Sequence, residues 1–150
     1  MTHMKRFTQL PITLYKIQPN LPVNLKTYQN QLNTSSFDLK LFNNQVIPIS
    51  HPDSFKTPNG MSLTPASNQM LEILHKFNGN PTIYCLLSGL KLPDGLCIYH
   101  EHTNHYSLQT TTPISIHQFN ANLTNFLKSL PTMDKNSFIE MMNDENDFDN

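Results

Sequence analysis

The side chains best equipped for chemistry lie together between Leu90 and Thr112, in LKLPDGLCIYHEHTNHYSLQTTT. His100, His102 and His105 can exchange protons near neutral pH, Glu101 adds a carboxylate, and Tyr106 adds an aromatic platform. If Thr103 and Asn104 form a two-residue turn, His102 faces His105, Glu101 faces Tyr106 and His100 faces Ser107 across an antiparallel ladder. One face then presents Leu96, Ile98, His100, His102, His105, Ser107 and Gln109, and the other Cys97, Tyr99, Glu101, Tyr106 and Leu108. A longer loop would shift the register and reassign the faces.

Two chemistries fit such a hairpin. Three imidazoles with an open fourth position are a known arrangement for catalytic zinc. Strand spacing alone does not converge their nitrogens and no fourth ligand is implied, so the expectation is no metal and a polar face bonded to backbone or water. A carboxylate beside an aromatic ring instead suits a sugar: it bonds a hydroxyl and stabilises the positive charge of an oxocarbenium-like transition state. An edge residue in a salt bridge would read the same way.

Elements must position these groups. Pro11 to Ile17 (PITLYKI) reads as a strand, with Ile12, Leu14 and Lys16 on one face and Thr13, Tyr15 and Ile17 on the other. Leu25 to Leu32 reads as a short helix or loop, and Phe37 to Ser50 as two short strands around Asn43-Asn44. Thr64 followed by Pro65 predicts a helix start. Met70, Ile73, Leu74 and Phe77 then make its buried stripe, and Gly79 its stop. Ile83–Leu87 and Gly95–His100 are apolar strand candidates. Ser115 opens a second helix with Ile116, Phe119, Leu123, Phe126, Leu127 and Leu130 on one face, closed by Pro131. Strands, helix, strands, helix imply an α+β domain on a mostly antiparallel sheet with two main helices.

The chain of 150 residues is one domain long, 37% hydrophobic and only 14% charged. Such a weakly charged surface indicates no nucleic-acid footprint. No apolar run approaches the roughly 18 residues of a membrane span, and the basic N-terminus lacks the apolar core of a secretory signal. Cys85 and Cys97 sit in apolar runs and read as reduced, buried thiols. Charge divides the chain: six acidic residues and Lys135 give residues 134–150 a net −5, against +4 for residues 1–133. A domain over 1–133 and a flexible acidic tail over 134–150 are expected.

The runs PNGMSLTP at Pro58–Pro65 and LPDGLCIYHEHTNHYSLQ at Leu92–Gln109, with the helix HQFNANLTNFL, resemble the toxin domain of type VI secretion exported effector two. The similarity runs in order from ITLYK near residue 12 to about Leu130. It implies a compact fold similar to ADP-ribosyltransferase toxins, NAD as co-substrate, and action in the cytosol of a recipient or host cell after secretion from the producer's cytoplasm. A target macromolecule, a cognate immunity protein and a monomeric state are the implied partners and assembly. By the same resemblance Glu101, His100 and His105 are catalytic, and Lys16, Asn59, Ser62, His102, Tyr106 and Gln109 bind the dinucleotide.

Two positions depart from the family pattern: Lys16 and Thr64 stand where relatives have arginine, leaving Arg6 as the sole arginine. An ammonium does not reproduce the bidentate contacts of a guanidinium. This motivates a second reading, an inactive ADP-ribosyltransferase-like module that docks on a target protein. The ending FIEMMNDENDFDN resembles the C-terminal signals read by type IV secretion systems. A solvated tail, or one that folds onto the positive body and shields the site, fits its composition equally.

Overall fold

The computed structural model describes residues 4–28, 38–49 and 59–148, with backbone only for 145–148. Along these residues come β1 (Lys5–Phe7), β2 (Leu14–Gln18), β3 (Gln45–Val46), β4 (Met61–Leu63), α1 (Asn68–Lys76) and β5 (Thr82–Leu86). There follow β6 (Leu96–His102), β7 (His105–Thr110), β8 (Ile114–Ser115), α2 (Ile116–Lys128), β9 (Thr132–Met133) and α3 (Lys135–Phe148). Pairing between these strands is antiparallel throughout. One sheet has the order β1-β6-β7-β4, a second β2-β5-β9, and β3 pairs with β8. The architecture is the expected α+β fold, with three helices among the described residues where two were expected.

The second sheet is covered on both sides, which explains the unbroken apolar run of β5. Alternation sends Leu14, Tyr84 and Leu86 into the core that includes α2, and Tyr15, Ile83 and Cys85 into the one that includes α1 and α3. α2 starts where the sequence places it: Ser115 Oγ accepts from the Gln118 amide at 3.1 Å. Its Phe119, Leu123, Phe126 and Leu127 are buried, each contributing about 1.5–3 kcal/mol. Its polar side also binds chain: Thr124 Oγ1 accepts from the Val23 amide at 2.9 Å, and Asn120 Oδ1 from that of Leu25 at 3.1 Å.

Helix α1 begins later than Thr64-Pro65 predicts. Thr64 and Tyr15 exchange backbone hydrogen bonds of 2.8 and 3.2 Å, a bridge that joins the two larger sheets and holds Thr64 extended. Ser67 caps the helix instead, its Oγ accepting from the Met70 amide at 3.2 Å. Of the predicted buried stripe, Met70 and Leu74 are buried while Ile73 is 43% exposed. The turn at Asn43-Asn44 is present, with φ of 49° and 62° that asparagine tolerates, but β3 after it pairs with β8. Of the expected helix or loop at Leu25–Leu32, residues 29–32 lie outside the described residues, and Thr27 forms a parallel bridge with Leu39.

Where a flexible tail was expected from Asp134, the structure has α3. Asp134 Oδ1 accepts from the Ser137 amide at 2.7 Å, and that bond holds the Asp134 carboxyl below its ordinary pKa. Phe138 and Met142, four residues apart, are both buried on the face turned to β2 and β5. Lys135 Nζ donates to the carbonyl of Phe77 at 3.1 Å, tying α3 to the end of α1.

Gly60 leads into β4 and lies close against the backbone of β7. A Cβ there would lie 2.3 Å from the Leu108 carbonyl oxygen, a backbone atom that cannot turn aside. Gly60→Ala is expected to cost about 1–3 kcal/mol, read as a lower urea midpoint, because β4 must move off its neighbour.

Candidate functional site

The hairpin tip follows the expected geometry and the strands behind it do not. His102 pairs with His105 across Thr103-Asn104, with Thr103 at φ 42°, a strained conformation for a β-branched residue. One step further, His100 pairs with Tyr106 and Tyr99 with Ser107, so Glu101 is an extra residue, a β-bulge. The predicted pairs Glu101–Tyr106 and His100–Ser107 are therefore corrected. Packing explains the shift: Ile98 and Leu108, both fully buried, pair with each other in the core. The tight turn fixes the other end of the ladder, and one residue is left over.

The bulge reassigns the side chains. His100 stacks on Tyr106 with centroids 4.2 Å apart and planes 11° from parallel, and its Nε2 donates to the Thr103 carbonyl at 2.8 Å. Those two residues brace the turn. Gln109 is fully buried, donating to Ser107 Oγ at 2.7 Å and accepting from the Ile49 amide at 3.3 Å. Asn59 is also buried, and its Nδ2 has no hydrogen-bond partner among the described residues. None of His100, Tyr106, Gln109 and Asn59 lines the cavity between β2, β4, α1 and the hairpin tip.

That cavity, of about 550 Å³, lies where β2 and β4 part. The Tyr15–Thr64 bridge is isolated, and beyond it Ile17 and Ser62 both line the cavity. Lys16, Ser62, His102 and His105 are polar residues of its lining, and Ile17, Met70, Ile73 and Phe77 apolar ones. Lys16 is half-buried, and burial pushes its amine pKa down, partly countered by Asp38. Gln69, Ile73 and Phe77 are lining residues that the sequence reading assigned no site role. For Ile73 and Phe77 the signal was present in the helix stripe, which reads as core alone until the cavity shows that part of it faces open space; Gln69 gave none.

Alternation along β4 buries Met61 and Leu63 and leaves Ser62 exposed. Ser62 Oγ lies 3.4 Å from His105 Nε2, and His105 Nδ1 lies 3.6 Å from Glu101 Oε2. The Glu101 side chain is only 4% exposed, and its Oε1 is buried without a hydrogen-bond partner among the described residues. Serine, imidazole and carboxylate thus form a line from the cavity inward, with Glu101 behind His105. The rings of His102 and His105 meet edge-on at 5.3 Å. Among the described residues no three His, Cys, Asp or Glu side chains are grouped to hold a metal ion, and no helix is long and apolar enough to cross a membrane.

The antiparallel α+β fold and the family match together define a toxin of the ADP-ribosyltransferase class. The matching model is that of the Tse2 ADP-ribosyltransferase toxin over residues 12–138, and the chain belongs to that family. The resemblance carried by the hairpin and β4 motifs is thereby confirmed. Comparison with curated proteins and with solved structures returned no match.

Proposed function

We propose that the protein binds NAD in the cavity between β2, β4, α1 and the hairpin tip, breaks its nicotinamide–ribose bond, and transfers ADP-ribose to a macromolecule in a recipient cell. The observation that carries this reading is that Lys16, Ser62 and His105, from three separate motifs, all line one cavity. Its volume lies within the usual range for small-ligand sites. Lys16 pairs with the pyrophosphate, and the apolar lining residues Ile17, Met70, Ile73 and Phe77 take an aromatic ring of the dinucleotide. Ser62 and His105 meet the nicotinamide ribose. Glu101 supplies negative charge through His105, the side on which a ribosyl cation develops. A producer exposed to its own toxin would need an immunity protein, and the cavity mouth is the surface for such a partner to cover.

The test is incubation of purified protein with labelled NAD and a cell lysate, following nicotinamide and labelled macromolecules. Nicotinamide release with label transfer is the expected result. Absence of both, without saturable NAD binding by calorimetry, would sink the reading and favour the docking module that the missing arginines suggest.

Lys16→Met is expected to weaken NAD binding by about 1.4–2.8 kcal/mol, a 10- to 100-fold rise in Kd measured by calorimetry. Stability should hold or rise. A lowered folded-state pKa means that the unfolded chain binds the proton more tightly, so stability contributed by this site increases with pH from the folded to the unfolded pKa. At neutral pH the buried charge opposes folding, and methionine removes it. The same shift makes wild-type NAD affinity fall at a lower alkaline pH than an ordinary lysine would give.

A further inference from the structure

We propose that Ser62 is a nucleophile, activated by His105 and Glu101, and becomes the site of self-ADP-ribosylation; this rests on the reading of the cavity as an NAD site. The line Ser62 Oγ, His105 Nε2, His105 Nδ1, Glu101 Oε2 has its two gaps at 3.4 and 3.6 Å. Such contacts are commonly long without substrate and tighten around it. Because Nδ1 faces the carboxylate, the imidazole proton belongs on Nδ1, and the Nε2 lone pair faces the serine hydroxyl. This is the arrangement of a nucleophile, its base, and the group that orients the base.

Two independent features of the fold build it. The β4 alternation exposes Ser62 between two buried neighbours, and the β6 bulge supplies Glu101 from the other side of the hairpin tip. The carboxylate has one buried oxygen with no hydrogen-bond partner among the described residues. A proton arriving on His105 completes an ion pair with this carboxylate, which stabilises the imidazolium formed during attack.

The step balances within the site and NAD. Ser62 Oγ bonds to C1′ of the nicotinamide ribose as the C1′–N bond breaks. The bonding pair leaves with nicotinamide, which departs neutral, and the hydroxyl proton passes to His105 Nε2. The product is an O-glycoside, an acetal rather than an ester, so it persists in neutral water. ADP-ribose held on Ser62 fills the cavity and ends turnover by that molecule.

The deciding experiment incubates the purified full chain with NAD, follows nicotinamide by chromatography, and maps ADP-ribose by intact mass and peptide sequencing. One ADP-ribose per chain on Ser62, with nicotinamide release slowing as labelling proceeds, is the expected result. Ser62→Ala should carry no label at this position; if that variant does not fold, mapping on the wild type still decides. Glu101 acts here as a positioning residue. Glu101→Gln should slow labelling by about 100-fold or more with the KM for NAD unchanged, the split expected of a group that acts only in the transition state. Nicotinamide release with Ser62 unmodified overturns the proposal and leaves the NAD reading standing. No nicotinamide release removes the NAD reading, and this proposal with it.

Discussion

Glu101→Gln is expected to lower nicotinamide release by about 10²- to 10⁴-fold while leaving the fold intact. Glutamine matches the carboxylate in shape, so the bulge and the His102–His105 turn can persist. Charge and hydrogen-bond direction change instead. Beside His105 Nδ1, an amide that donates its own N–H would select the tautomer with the proton on Nε2, which leaves no lone pair for Ser62. Stability should change by less than about 1 kcal/mol or increase, since the variant removes a buried carboxylate with one oxygen unsatisfied among the described residues. Activity and stability thus separate, and steady-state kinetics with a urea titration on one preparation read both. His105→Gln should reach a similar floor, and the double variant should fall little further, because residues acting as a unit are not additive. Full turnover in Glu101→Gln would remove the carboxylate from the mechanism.

What the sequence disclosed follows from which interactions are local. α2 was legible from Ser115 to Leu130 because its cap, apolar stripe and Pro131 stop agree. The Thr103-Asn104 turn was legible for the same reason. The ladder behind it was not, because the core pair Ile98–Leu108 fixes a register that the turn alone cannot. The start of α1 was displaced by Tyr15, which lies far away in the chain and holds Thr64 extended. In the site, residue types do not separate the groups that line the cavity from those that do not. The motif HEHTNHYSLQ contains both the groups that reach the cavity and those that brace the hairpin, and imidazoles, tyrosines and glutamines serve either purpose. Ser62, His105 and Lys16 reach the cavity, while His100, Tyr106 and Gln109 hold the strands.

Phe138→Ala is expected to destabilise the protein by about 3–5 kcal/mol, read as a lower urea midpoint. Phe138 is fully buried, its ring edge-on to Tyr15 at 5.3 Å, in a cluster with Ile83, Met70 and Leu74. A solvated tail would predict a change within about 0.5 kcal/mol, so this variant separates the two descriptions of residues 134–150. The effect should reach the cavity as well. Tyr15 donates from its hydroxyl to Met141 Sδ at 3.9 Å, pairs through its backbone with Thr64, and precedes Lys16. Loosening its packing therefore loosens the β2–β4 junction that carries Lys16 and Ser62, and the KM for NAD should rise in molecules that remain folded. The same coupling changes how an export signal here must be tested. Deleting residues 134–150 would remove Phe138 and Met142 from the core together with the acidic residues, so lost delivery would also follow from lost folding. Replacing Glu140 and Asp144, both exposed, with lysine alters the charge of α3 without touching its buried face. Unchanged stability with lost translocation in that variant would assign delivery to the charges; unchanged translocation would dismiss the acidic surface as the signal.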